Sequence, residues 1–159
     1  MAEPPRKAPS FTLPDTNGNF HDITDHRGKV VILTLMRTNC PHCASFSKVL
    51  EQINQQYSGR VQVFSIANPP DTLDLLKQYI AAAKITFPVL MDCGQAAFSY
   101  VRTGSVNLPR VWLIDRAGFI QQDVTYSEPA KPFFEKRGIF AELDKILAAS
   151  PAAAKPAKK

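Results

Sequence analysis

The apolar run Val30-Val31-Ile32-Leu33-Thr34-Leu35-Met36 leads almost directly into Cys40-Pro41-His42-Cys43, and a helical pattern opens just beyond. A run with so little alternation reads as a central strand covered on both faces. Phe46, Val49, Leu50, Ile53 and Tyr57 then fall on one face of a helix, which Ser58-Gly59 ends. Val61 to Ile66 is the next strand. Strand, helix and strand in that order imply a parallel pair joined by a right-handed crossover. The chain is thereby held to an α/β arrangement with two cysteines at a strand-to-helix junction.

The remaining segments build around that unit. Pro9 to Pro14 and Phe20 to Ile23 are short extended pieces flanking the turn Asp15-Thr16-Asn17-Gly18-Asn19, so an N-terminal hairpin is expected. Asn68-Pro69-Pro70-Asp71 is a loop with Asp71 as the expected N-cap of a second helix. Leu73, Leu76, Tyr79, Ile80 and Ala83 mark the buried face of that helix. Phe87 to Met91 is a short strand or extended link, and Gln95 to Val101 one or two helical turns. Arg110 to Ile114 and Phe119 to Val124 form an antiparallel hairpin about Asp115-Arg116-Ala117-Gly118. Phe133 to Ala149 is a closing helix, with an interruption expected at Gly138. One domain spans 8–149, between a flexible N-terminus 1–7 and a flexible Lys/Ala/Pro tail 150–159.

Composition narrows the function. The chain has 159 residues, 45% hydrophobic and 21% charged, as expected of a globular protein with a real core. Its net charge is +5, of which Lys155, Lys158 and Lys159 in the tail carry three. No aromatic–basic interleaving supports nucleic-acid binding, so no nucleic-acid partner is expected. No run approaches the roughly 18 apolar residues of a membrane span, and nothing after Met1-Ala2-Glu3-Pro4-Pro5 reads as a signal peptide. Three cysteines are too few to staple a chain of this length. Core burial must hold the fold, which frees the pair for chemistry.

A Cys-x-x-Cys has three chemical readings. A c-type haem needs His directly after the second cysteine, where Ala44 stands. Zinc or copper would need ligands beyond Cys40 and Cys43, with His21 or His26 as the available candidates; a structural zinc site takes four. A dithiol redox centre needs only the pair, at a helix N-terminus where backbone N–H groups favour an anion. Such a setting lowers a thiol pKa from about 8.5 into the range of roughly 3.5–7.5. Cys40 is then the attacking thiol and Cys43, one turn on, the resolving one. Pro41 supplies a fixed φ in the first turn, and His42 stabilises the Cys40 thiolate through its ring N–H or charge. Arg37 is expected to be solvated, and Cys93 to be a small buried or half-buried filler.

The order of motifs resembles thioredoxin-fold redoxins, in particular the bacterial thiol-disulfide oxidoreductases of cytochrome maturation (TlpA/ResA-like). The matching pieces are Ala8-Pro-Ser-Phe-Thr-Leu-Pro-Asp15, Gly28-Lys-Val-Val-Ile32, Cys40-Pro-His-Cys43, Phe87-Pro-Val-Leu-Met-Asp92 and Leu113-Ile-Asp-Arg-Ala-Gly118. The resemblance implies a thioredoxin fold: a central mixed sheet flanked by helices, with the hairpin as an N-terminal extension. It implies a cis-proline at Pro109, with Leu108 and Pro109 as the substrate-docking edge. It implies protein thiols and disulfides as substrates, an upstream redox partner and an extracytoplasmic site of action, with a cytoplasmic one as the alternative. No cofactor beyond a redox-active Cys40–Cys43 disulfide and no metal is implied, and the protein is expected to be a monomer.

The departures concern direction. Asn39 stands where the family often has Trp, and Thr34 where thioredoxins keep a buried acid. Pro-His between the cysteines resembles the strong oxidant DsbA rather than the Gly-Pro of thioredoxin. Related thiol peroxidases carry Thr three residues before the reactive cysteine, where this chain has Arg37. The copper chaperones of the superfamily space their cysteines by three residues, not two. A metal-binding module and a thiol peroxidase are thus the two alternatives.

Overall fold

The computed structural model describes residues 5–102 and 106–149. The expected flexible tail and residues 1–4 lie outside the described residues. The strands are β1 (Arg6–Lys7), β2 (Thr12–Pro14), β3 (Phe20–Asp22), β4 (Val30–Met36), β5 (Val61–Ala67), β6 (Val89–Met91), β7 (Arg110–Ile114) and β8 (Phe119–Thr125). The helices are α1 (Pro41–Gln56), α2 (Leu73–Ala83), α3 (Gln95–Val101) and α4 (Lys136–Ala149), with 3-10 turns at Ile23–His26 and Lys131–Phe134.

Six strands form one mixed sheet in the order β1-β8-β7-β4-β5-β6, and β2 pairs with β3 as a separate hairpin. β4 runs parallel to β5 in register from Val30↔Val61 to Met36↔Ala67, and antiparallel to β7. Its side chains alternate between two apolar layers. Val30, Ile32 and Met36 meet Phe46, Leu50 and Ile53 of α1, Leu76 of α2, and Ile139 and Leu143 of α4. Val31, Leu33 and Leu35 meet Phe11, Ile23, Phe64, Tyr100 of α3 and Trp112 on the other face. Burial on both sides is what a run without alternation requires. Leu50 and Ile53 are fully buried, and truncating either to Ala would cost about 2–5 kcal/mol. The inner face of α1, rather than its cap, anchors the helix that carries the cysteines.

The thioredoxin fold expected from the sequence is the one observed, and four details differ. Arg6 and Lys7 pair with Ile120 and Phe119, so ordered pairing begins before residue 8. Thr72, not Asp71, caps α2, its hydroxyl accepting the Leu75 N–H. Leu73 is exposed, because starting the helix at this point turns it outward. The closing helix breaks at Glu135, which is extended, rather than at Gly138. Gly138 is instead the close-approach point, where a Cβ would run into the Pro132 carbonyl.

Candidate active site

Cys40 ends the loop after β4 in an extended conformation and is the N-cap of α1; its Sγ accepts the Cys43 N–H at 3.1 Å. A sulfur in that role replaces the usual Ser, Thr or Asp oxygen and sits where the first-turn amides converge. Pro41 opens the helix, where its missing N–H leaves nothing unpaired. No acidic residue lies in the first turn, so no like charge there opposes an anion at Cys40. Cys43 points inward and is 1% exposed, while Cys40 is half-buried. The two are joined as a disulfide with Cα atoms 5.1 Å apart, inside the usual span.

The second wall of the site is the loop before β7. The Leu108–Pro109 peptide is cis, and the Leu108 carbonyl oxygen stands 3.8 Å from Cys40 Sγ. The structure thus brings Cys40, Cys43, Leu108 and Pro109 together although they are distant in sequence. Beside them an open, mainly apolar cavity of about 490 Å³ lies between Met36, Arg37, Asn68, Phe98, Val106 and Leu108. Phe98 is 78% exposed at its rim.

His42 is exposed and stacks face to face on Tyr126, with ring centroids 4.1 Å apart and planes inclined by 20°. Tyr126 was not singled out by the sequence, since it lies just past a strand end with no local partner. Asp71 does not cap α2 but serves the neighbouring loop. Its carboxylate accepts the N–H and the hydroxyl of Thr38, tying the β5–α2 loop to the segment that leads into Cys40. Thr34 is buried, and its hydroxyl donates to the Arg110 carbonyl at 3.1 Å. Alternation places it on the α1 face of β4 with Ile32 and Met36.

Other candidates fall elsewhere. Arg37 is exposed. Cys93 is exposed rather than a buried or half-buried filler, because it lies in the short link between Met91, the end of β6, and Gln95, the start of α3. His21 is held by Asp15 at 2.8 Å, and both His21 and His26 make T-shaped ring contacts with Phe64. Phe64 belongs to the layer opposite α1, so the sheet stands between these histidines and Cys43. Burial lowers the pKa of His26.

A model described as the AhpC/TSA family matches residues 4–123. The chain belongs to that family. It is 26% identical over 118 residues to the thiol-disulfide oxidoreductase ResA of Geobacillus kaustophilus, covering 74% of this chain and 67% of the relative. It is 28% identical over 121 residues to ResA of Bacillus thuringiensis subsp. konkukian, covering 75% and 68%. A thioredoxin-family thiol:disulfide interchange protein from Chlorobium tepidum superposes with a TM-score of 0.79 at 21% identity, over 92% of this chain and 99% of that one. A putative thiol:disulfide interchange protein DsbE, also from Chlorobium tepidum, superposes at 0.77 with 26% identity over the same shares, 92% and 99%. With its Cys-x-x-Cys pair bonded at the N-terminus of α1, this AhpC/TSA-family chain is a thioredoxin-like thiol-disulfide oxidoreductase.

Proposed function

We propose that Cys40 is the nucleophile of disulfide exchange with client proteins and Cys43 the resolving thiol. The observation that carries this assignment is the asymmetry of burial: Cys40 is half-open at the helix N-terminus, and Cys43 is closed in the core. The Cys40 thiolate attacks one sulfur of a client disulfide, forming a mixed disulfide and releasing the other client sulfur as thiolate. Cys43, deprotonated, then attacks Cys40 Sγ, releasing the second client thiol and closing Cys40–Cys43. Two electrons pass from the dithiol to the client, and the reverse sequence oxidises a client dithiol. The pair itself carries the electrons, so no bound cofactor is required, and an upstream redox partner resets it.

His42 stabilises the Cys40 thiolate, and Leu108 and Pro109 form the edge on which the client strand docks. Stabilising the thiolate stabilises the reduced form and raises the potential. Together with Thr34 in place of a buried acid, this supports a couple more oxidising than thioredoxin. The protein acts as a monomer, and outside the cytoplasm, the second reading being supported by its likeness to ResA and DsbE.

Exchange assays on two variants test the roles. Cys40→Ser abolishes exchange, and Cys43→Ser accumulates mixed disulfides with clients; faster alkylation of Cys43 than of Cys40 at mild pH would reverse the assignment. Equilibration with glutathione tests the poise: a potential at or below about −270 mV, that of thioredoxin, overturns it.

A further inference from the structure

Tyr126 touches both halves of the active site. Its backbone N–H donates to the Pro109 carbonyl at 2.9 Å, while the neighbouring Thr125 hydroxyl donates to the Asn107 carbonyl at 2.8 Å. The end of β8 thereby clamps the loop that sets Leu108 against Cys40. The Tyr126 ring lies flat on His42 and leans on Phe134 at 5.4 Å, which is itself part of the core beneath α1. His42 is otherwise an exposed side chain in the first turn of a helix, with staggered wells open to it. The stack holds it in one of them.

We propose that Tyr126 is a positioning residue for the redox centre: its ring fixes His42 in the orientation that supports the Cys40 thiolate. The backbone of Tyr126 locks the docking loop at the same time. This rests on the role given to His42 above. Releasing the ring spreads His42 over about three wells instead of one, diluting its effect on the thiolate by about threefold.

The test is the rate at which iodoacetamide alkylates Cys40 in the fully reduced protein on the low-pH limb of its pH profile, where the rate follows the thiolate fraction. Tyr126→Ala slows alkylation about threefold. Above the Cys40 pKa, where the reduced form is mainly thiolate, it instead moves the equilibrium constant with glutathione by up to the same factor in the reducing direction, at most about 14 mV given 29.6 mV per tenfold. Tyr126→Phe, which keeps the ring, restores both values. Tyr126→Leu keeps apolar bulk against Phe134, protects the fold if the alanine variant is unstable, and slows alkylation as alanine does. In a His42→Ala background, Tyr126→Ala adds nothing.

If His42→Ala slows alkylation and neither Tyr126→Ala nor Tyr126→Leu does, the positioning role is wrong and the His42 reading stands. If His42→Ala has no effect, both fall. A Tyr126→Phe variant as slow as Tyr126→Ala would assign the effect to the hydroxyl and overturn the stack.

Discussion

Asp71 holds Thr38 through two hydrogen bonds, one from its N–H at 3.0 Å and one from its hydroxyl. The parallel register of β4 and β5 brings their C-terminal loops side by side, so a carboxylate on one loop can organise the other just ahead of Cys40. Asp71→Ala leaves a part-buried N–H without an acceptor, a loss of about 1–3 kcal/mol. The urea midpoint falls accordingly and exchange slows, because the segment presenting Cys40 loosens. Asp71→Asn, whose amide oxygen still accepts one bond, falls between the two.

Thr34 offers a test of the missing acid. Thr34→Asp sets a carboxyl inside the sheet, where desolvation raises its pKa above that of the unfolded chain. The unfolded state then ionises first, so destabilisation is absent below about pH 4, grows as pH rises, and reaches up to about 4 kcal/mol by neutral pH. Urea titrations at pH 4 and pH 7 check this: wild type changes little between them from this position, and the variant weakens markedly. Equal weakening at both pH values would place the cost in sterics rather than charge.

Tyr57 and Asp144 join α1 to α4. Burial, then the hydrogen bond to Asp144 at 2.7 Å, push the Tyr57 hydroxyl up to about 12. A group whose folded pKa is raised contributes stability that is complete below its unfolded value, about 10, and is lost as pH climbs through the folded one. Alkaline unfolding of wild type therefore includes a Tyr57 component between about pH 10 and pH 12. Tyr57→Phe lacks that component, giving a flatter stability profile over the same interval.

Gly138→Ala reverses the usual sign for a helix. Alanine is ordinarily favoured over glycine by about 1 kcal/mol within helices. Here a Cβ would meet the backbone of Pro132 and Phe133, which cannot swing aside as a side-chain tip could. The overlap costs about 1–3 kcal/mol, so thermal unfolding of the variant moves to lower temperature. A rise in Tm would show that the 3-10 turn yields freely.

Apolar periodicity carried most of the architecture. The run from Val30 to Met36, the α1 face from Phe46 to Ile53 and the hairpin around Gly118 were legible because each depends on neighbours within a few positions. The same holds for the sulfur chemistry, since Cys40 caps a helix that begins with the very next residue. Capping was less secure: Asp71 and Thr72 are adjacent and chemically equivalent as caps, and the winner was decided by Thr38, which competes for Asp71 from another loop.

By itself, then, the sequence determined a strand-to-helix junction bearing two thiols one turn apart, with covered strands on either side. Tertiary structure alone decided what surrounds them: Leu108 beside Cys40, Tyr126 under His42, and His21 and His26 on the far side of the sheet. The reason is physical. Local hydrogen bonds and side-chain periodicity act within a helical turn or a strand and are written in consecutive residues. Contacts between distant loops are set by strand order and register, which emerge only when both apolar layers close over the sheet.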